Sequence, residues 1–260
     1  MTIDIVMLAY NRREFTAMAL GSLDKYLDFD RVGEFIIADM GSTDGTRELC
    51  EAWGKARVID LPNAGRANLL SLVRAGRELA DGRWALLWLN DWYLCEPMLD
   101  WLLPFRDDCD AMTSHVVSRL PGTGVDAVLG VERKRIVVRD RFQGGVCAFR
   151  TEFLHRLSAH EADIGSVMGT LETLPRRDVL HYTVERVTPP PAFLHLDCDL
   201  RGHPVADALY AREGIDTERV LRLTTEYMER GWGRHHVVDG RVMEYRAWRA
   251  EQKAKQGAKE

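Results

Sequence analysis

Ile3–Leu8 is a near-continuous apolar run broken only by Asp4, the pattern of a parallel strand covered on both faces. Asn11 follows where it can cap a helix, with Glu14 three residues on as a variant capping box. Phe15, Met18, Ala19, Leu23, Tyr26 and Leu27 then recur at helical spacing. Phe35–Ala38 predicts a second strand, followed by the polar turn Gly41-Ser42-Thr43-Asp44-Gly45 and a helix carrying Leu49, Cys50 and Trp53 inward. Ser42, Thr43 and Asp44 read as turn and cap residues. Arg57–Asp60 predicts a third strand, Ala67–Ala80 a third helix closed by Asp81-Gly82, and Trp84–Leu89 a fully apolar fourth strand. Strands alternating with helices imply a mostly parallel α/β sheet with helices on both faces, because parallel neighbours need right-handed crossovers.

Beyond Pro97 the pattern loosens. Met98–Leu103 predicts a short helix, Ala111–Ser118, Ile136–Val138 and Val146–Phe149 predict strands, and a helix is expected from near Thr151. Pro189-Pro190-Pro191 interrupts the chain before an apolar run at Ala192–Leu196. Pro204 suits a first-turn position, and Asp216 can cap a helix bearing Val220, Leu223 and Tyr227 that Gly231 stops. The spacing divides the chain into a domain over 1–204, with halves 1–95 and 96–204, and a helical C-terminal extension over 205–260. Within that extension Arg241, Arg246 and Arg249 with Tyr245 and Trp248 form a basic, partly aromatic helix. A solvated or docked helix is preferred there to a membrane-surface one.

Composition narrows the function. The 260 residues are 46% hydrophobic, enough for a sizeable core, and the net charge of −5 gives no basic face for nucleic acid. The 5 cysteines are scattered without metal-ligand spacing and read as reduced thiols. No signal-peptide pattern opens the chain, and Trp84–Leu89 is too short to span a bilayer. The expectation is a cytoplasmic protein without a transmembrane segment.

Ligands of open parallel sheets bind outside the carboxyl ends of the strands. Tyr10-Asn11-Arg12 follows the first strand, Asp39 the second and Asn90-Asp91 the fourth, while Arg66 precedes the third helix, where an anion is favoured. An aromatic ring, two carboxylates and an arginine suit a base, a ribose and a diphosphate.

Four segments, "DIVMLAYNRREF", "FIIADMGSTDGT", "NAGRANLLSLVRAG" and "LLWLNDWYLCEP", resemble the signature segments of family 2 glycosyltransferases in order and spacing. The resemblance implies a GT-A-type fold whose 1–95 half binds a nucleotide sugar, UDP-linked as one candidate, and whose 96–204 half receives an unidentified acceptor. By position, Tyr10 is expected to stack on the base, with Ala9, Asn11 and Arg12 beside it. Asp39 is expected to hydrogen-bond the base, and Arg66 to lie near the base or diphosphate. Gly144-Gly145, in "GGVCAFR", is similar to the family strand beside the sugar.

Asn90-Asp91-Trp92 falls on the family's DXD-type segment, where a divalent cation, manganese or magnesium, bridges the diphosphate. The resemblance implies Asp91 as a metal ligand and His195 as a contact to the metal or to the diphosphate. Trp92 stands where the metal-binding aspartate is usual, which leaves metal dependence open and places an indole at the edge of the sugar pocket. His195, Asp197 and Asp199 alternate, so on a strand they share a face. An inverting transfer needs a carboxylate base, and the family spacing to His195 fits Glu172 best, then Asp178, then Asp163. The expected activity is glycosyl transfer from a nucleoside diphosphate sugar, with inversion implied by the family resemblance alone. The alternatives are a non-catalytic nucleotide-sugar binder and a sugar nucleotidyltransferase. The latter and a dehydrogenase would each call for a glycine-rich phosphate turn after the first strand, and Ala9-Tyr10-Asn11-Arg12-Arg13 has no glycine there.

Overall fold

The computed structural model describes residues 2–63, 71, 74–97, 99, 111–114, 135–138, 147–158, 181–185, 193–196, 204–232, 237–238 and 241–242. Strands β1 (Ile3–Ala9), β2 (Val32–Asp39), β3 (Arg57–Asp60) and β4 (Trp84–Leu89) build one half of the central sheet. β6 (Ala111–Ser114), β7 (Arg135–Val138), β8 (Cys147–Arg150) and β9 (His181–Glu185) build the other, in the order β3-β2-β1-β4-β8-β6-β9-β7. The first four strands pair in parallel. β8 runs antiparallel to both β4 and β6, so the second half is mixed. A short antiparallel ribbon joins β5 (Trp92–Leu94) to β10 (Phe193–His195). The helices are α1 (Arg13–Tyr26), α2 (Thr46–Trp53), α3 (Thr151–Ser158), α4 (Pro204–Glu213) and α5 (Thr217–Glu229).

The chain steps outward from β1 to β2 and β3, then returns to place β4 on the opposite side of β1. The carboxyl ends of β1 and β4 therefore flank a topological switch point, the crevice in which open α/β sheets take ligands. Every residue of β1 and β4 is buried, which is why both read as unbroken apolar runs. Asp4, the one interruption, accepts hydrogen bonds from Glu34 N (2.7 Å) and Arg83 Nη1 (2.8 Å) through Oδ1. Gly33 is needed beside it, because a Cβ there would stand 2.4 Å from Asp4 Oδ1.

The predicted faces of α1 and α2 pack as the spacing implies: Phe15, Ala19, Leu23 and Cys50 are buried. Burial pushes the Cys50 thiol up to about 12, assisted by the nearby Asp39 charge, so it remains a protonated core thiol. α1 meets β5 through a buried hydroxyl: Ser22 Oγ accepts from Leu94 N (2.8 Å) and donates to the Ala19 carbonyl (2.6 Å). α4 and α5 close over the other side of α1, where Phe15 and Tyr227 stack edge to face at 5.2 Å. Glu213 on α4 is surrounded there by Lys25 Nζ, the Tyr26 and Tyr93 hydroxyls and Arg212. Burial pushes the Glu213 carboxyl up, but those hydrogen bonds outweigh it and leave its pKa below the ordinary value.

Several boundaries differ from the sequence expectation. β2 starts three residues earlier, at Val32. Asn11 does not cap α1: Arg12 occupies the cap position in the left-handed region, with no side-chain cap of its own. Arg13 N instead donates to Asp44 Oδ2 (2.9 Å) and Glu14 N to the Tyr227 hydroxyl (3.2 Å), so partners distant in sequence replace the local capping box. Arg241 lies not in a helix but in a two-residue strand, β12 (Arg241–Val242), paired with β11 (Val237–Val238). The intervening Asp239-Gly240 is a hairpin signal that outweighs the charge pattern. The helices starting at Thr151 and Pro204 form as expected, and Asp216 Oδ1 caps α5 by accepting from Glu218 N and Arg219 N. Of the expected helices at Ala67–Ala80 and Met98–Leu103, most residues lie outside the described set. No helix among the described residues is long and apolar enough to cross a membrane.

Ser22→Ala leaves the buried Leu94 N–H without its acceptor and should cost ~1–3 kcal/mol, read as a lower urea midpoint with unchanged m-value. Glu213 tests the electrostatics. Its lowered pKa makes its contribution complete above the ordinary carboxylate value of 4.5, and lost as pH falls through the lower folded value. Glu213→Gln should therefore flatten the fall in stability as pH drops below 4.5, measured by urea denaturation at each pH.

Candidate functional site

The switch point is occupied by one continuous hydrogen-bond network that joins the ends of β1, β2, β4 and β10. It starts at Asp39, the last residue of β2, which is buried. Asp39 Oδ2 accepts from Gly41 N (3.1 Å) and Ser42 N (3.0 Å), and Oδ1 accepts from the Ser42 hydroxyl. Gly41 makes this turn with a φ of 83°, open to glycine at no steric cost. Ser42 Oγ then accepts from Asn11 N (2.8 Å), while Asn11 Oδ1 accepts from Thr43 N (2.7 Å). Asp44 Oδ1 accepts from Thr46 N (3.1 Å) as its Oδ2 holds Arg13 N, so one carboxylate caps the starts of both α1 and α2.

Asn11 and Arg12 both adopt positive φ, 49° and 64°. For residues with a Cβ that costs roughly 1–2 kcal/mol each, less for asparagine, and is retained where surrounding contacts enforce it. The result is a reversal that turns the Arg12 side chain inward. Arg12 Nη1 donates to Asp91 Oδ2 (2.7 Å) and Nη2 to Asn90 Oδ1 (2.8 Å). Asn90 Nδ2 donates back to the Asn11 carbonyl and to Thr16 Oγ1, both at 2.9 Å. Asp91 Oδ2 accepts a second bond, from His195 Nε2 (2.9 Å), and the Asp91 carbonyl accepts from Leu196 N (2.9 Å). Arg12 is 6% exposed, His195 6% and Asp91 0%, so the ion pair lies out of water.

The structure thus brings together Asn11, Arg12, Asp39, Asn90, Asp91 and His195. Ala9 lies at the same edge, buried, with its carbonyl accepting from Met40 N (2.9 Å). Tyr10 is half-buried beside it. Arg12 and Trp92 also have protein partners. Arg12 faces the protein rather than an open crevice, its guanidinium committed to Asp91 and Asn90. Trp92 is 7% exposed and packs against Trp88 (5.5 Å), Phe193 (5.3 Å) and the edge of His195 (6.1 Å). In β5 it stands directly opposite His195 in register, so its bulk supports the imidazole that bonds Asp91. Ser42, Thr16 and the double cap at Asp44 were legible only as turn or helix residues. Arg66, Gly144, Gly145, Asp163, Glu172, Asp178, Asp197 and Asp199 lie outside the described residues.

A divalent cation of the kind the family resemblance implies wants several oxygen ligands. Asp91 and His195 are adjacent, as that expectation requires, but they bond each other directly, and the carboxylate oxygen they share also carries the Arg12 guanidinium. Among the described residues no group of three His, Cys, Asp or Glu could hold a metal ion. The described residues do not fit the cation.

Residues 4–115 match the model of glycosyl transferase family 2. No curated relative matches the sequence. Among solved structures, S. aureus TarS aligns at a TM-score of 0.56 and 17% identity, over 90% of this chain but 44% of that one. The TarS 1-349 fragment in complex with UDP aligns at 0.56 and 18%, over 89% and 72%. The same fragment in complex with UDP-GlcNAc aligns at 0.53 and 17%, over 90% and 74%. The chain spans less than half the length of the full TarS chain, and at these identities the likeness is one of fold. The fold is of the GT-A type, and the family match lies within its first half.

Removing Arg12 strands a buried carboxylate. Arg12→Met should cost ~3–5 kcal/mol, and adding Asp91→Asn should recover part of that loss, read as non-additive urea midpoints in a double-mutant cycle.

Proposed function

We propose that the chain transfers a sugar from a nucleoside diphosphate sugar to an acceptor hydroxyl, with inversion at the transferred carbon. The observation carrying this reading is the polar network at the switch point, made by the ends of β1, β2 and β4 inside the segment that matches the family model. Tyr10, half-buried at that edge, offers its ring to the base. Asp39 rigidifies the Gly41–Thr43 turn and keeps part of its acceptor capacity for the base, since a carboxylate has about four lone-pair sites. The roles of Arg66 against the base or diphosphate, and of Gly144-Gly145 beside the sugar, rest on position in the sequence, as does a carboxylate base at Glu172 or Asp178. That base would accept the hydroxyl proton as the acceptor oxygen attacks and the nucleoside diphosphate leaves. UDP is the first nucleotide to try, because the TarS fragment of similar fold is in complex with it.

A second reading, a nucleotide-sugar binder without turnover, is favoured by Trp92 standing where the family usually has a carboxylate. Slow hydrolysis of the donor separates the two, because a binder produces none.

Thermal unfolding in the presence of UDP, GDP, dTDP or CDP tests the binding claim, since a ligand of the native state raises the midpoint by mass action. At least one should raise it, Asp39→Ala should abolish the rise, and Tyr10→Ala should weaken affinity by about tenfold for a lost stacking contact of ~1–3 kcal/mol. No rise with any of them would sink the proposal. Glu172→Gln and Asp178→Asn should separate base from bystander: the base variant loses kcat and keeps nucleotide binding.

A further inference from the structure

We infer that this chain binds its nucleotide diphosphate without a divalent metal, with the Arg12 guanidinium serving as the resident cation of the Asn90-Asp91-Trp92 turn. The inference rests on the nucleotide reading above and concerns how that site handles charge.

Three independent features point to it. The first is the turn itself: Asn90 and Trp92 flank Asp91, so Asp91 is the segment's single carboxylate, and Trp92 is spent on packing against Trp88, Phe193 and His195. The second is the occupancy of that carboxylate. Asp91 Oδ2 accepts from Arg12 at 2.7 Å and His195 at 2.9 Å, and the residue is 0% exposed. A dication would have to displace a buried guanidinium or settle beside it, and like charges repel strongly away from water. The third is the backbone. Asn11 and Arg12 hold consecutive left-handed conformations, and the Arg12 side chain reaches both Asp91 and Asn90 from there. The turn that follows β1 thus delivers a fixed positive charge to the end of β4. With arginine in place, Asp91 is neutralised and presents no net negative charge to an incoming diphosphate. Without it, the unpaired carboxylate would repel that diphosphate, and a metal would become useful.

The test uses the full chain, UDP as the probe, and three conditions: chelator, magnesium and manganese. Calorimetry should give a UDP dissociation constant that moves by less than about threefold among them. Electron paramagnetic resonance of a manganese titration, with and without UDP, should show no stoichiometric protein-bound ion. Arg12→Met should weaken UDP binding in chelator by about tenfold or more, and manganese should restore part of that loss in the variant but add nothing to the wild type. Arg12→Lys, which keeps the charge, should lie between them.

A purely structural Arg12 predicts no such metal rescue, and its absence in a folded Arg12→Met would overturn the role assigned to Arg12. Should that variant not fold, the wild type still decides the matter. UDP binding strengthened about tenfold or more by manganese, or one tightly bound manganese per chain, overturns the inference while leaving the nucleotide reading intact. Failure of every nucleotide to bind defeats the nucleotide reading instead. The inference about metal-free nucleotide binding falls with it, and the manganese titration then rules only on whether Arg12 rather than a metal ion occupies Asp91.

Discussion

The buried contact between the Arg12 guanidinium and the Asp91 carboxylate is the constraint on which the sheet's carboxyl edge depends. It links a residue just after β1 to one just after β4, across the point where strand order reverses. Neither charge has water to fall back on, so each needs the other. The same guanidinium orients Asn90, whose amide then ties the Asn11 carbonyl to Thr16 on α1. Through His195 the pair extends to β10, and through Asn11, Ser42 and Asp39 it extends to the end of β2. Four strand ends are thereby held in one frame.

That frame is reinforced from outside the sheet. The first amides of α1 are capped by Asp44, from the turn after β2, and by Tyr227, from α5. Two of the orphan donors at the start of α1 are thereby satisfied. Arg219 on α5 also pairs with Glu14 on α1, and Glu213 on α4 pairs with Lys25 near the other end of that helix. The C-terminal helices thus clamp the element that follows β1 at the polar edge, which gives residues far from the sequence motifs a stake in that edge's geometry.

Much of the architecture was legible because burial writes itself into composition. β1 and β4 are covered on both faces, so they read as apolar runs, and α1 buries one stripe, so it reads at helical period. The polar residues at strand ends were equally visible, and Asn11, Asp39, Asn90 and Asp91 do meet in space. Their partners were not visible. Arg12 looked like a ligand contact because its inward turn depends on positive φ at two residues that are not glycine, which no local propensity favours. The packing of Trp92 was not legible because nothing nearby in sequence announces Phe193 and His195 as its neighbours. Asn11 looked like a cap because the competing acceptor, Asp44, lies 31 positions from the Arg13 amide it takes.

The sequence by itself determined the alternation of strands and helices, the parallel half of the sheet, and the edge where polar residues gather. Those follow from periodicity and from the rule that backbone polar groups and apolar faces must both be satisfied. Only the tertiary structure decided what those polar residues do there. Pairing between Arg12 and Asp91 spans 79 positions and the bond to His195 spans 104. Such contacts are chosen by strand order and by desolvation at the switch point, where a buried carboxylate takes the strongest partner that the folded backbone brings within reach.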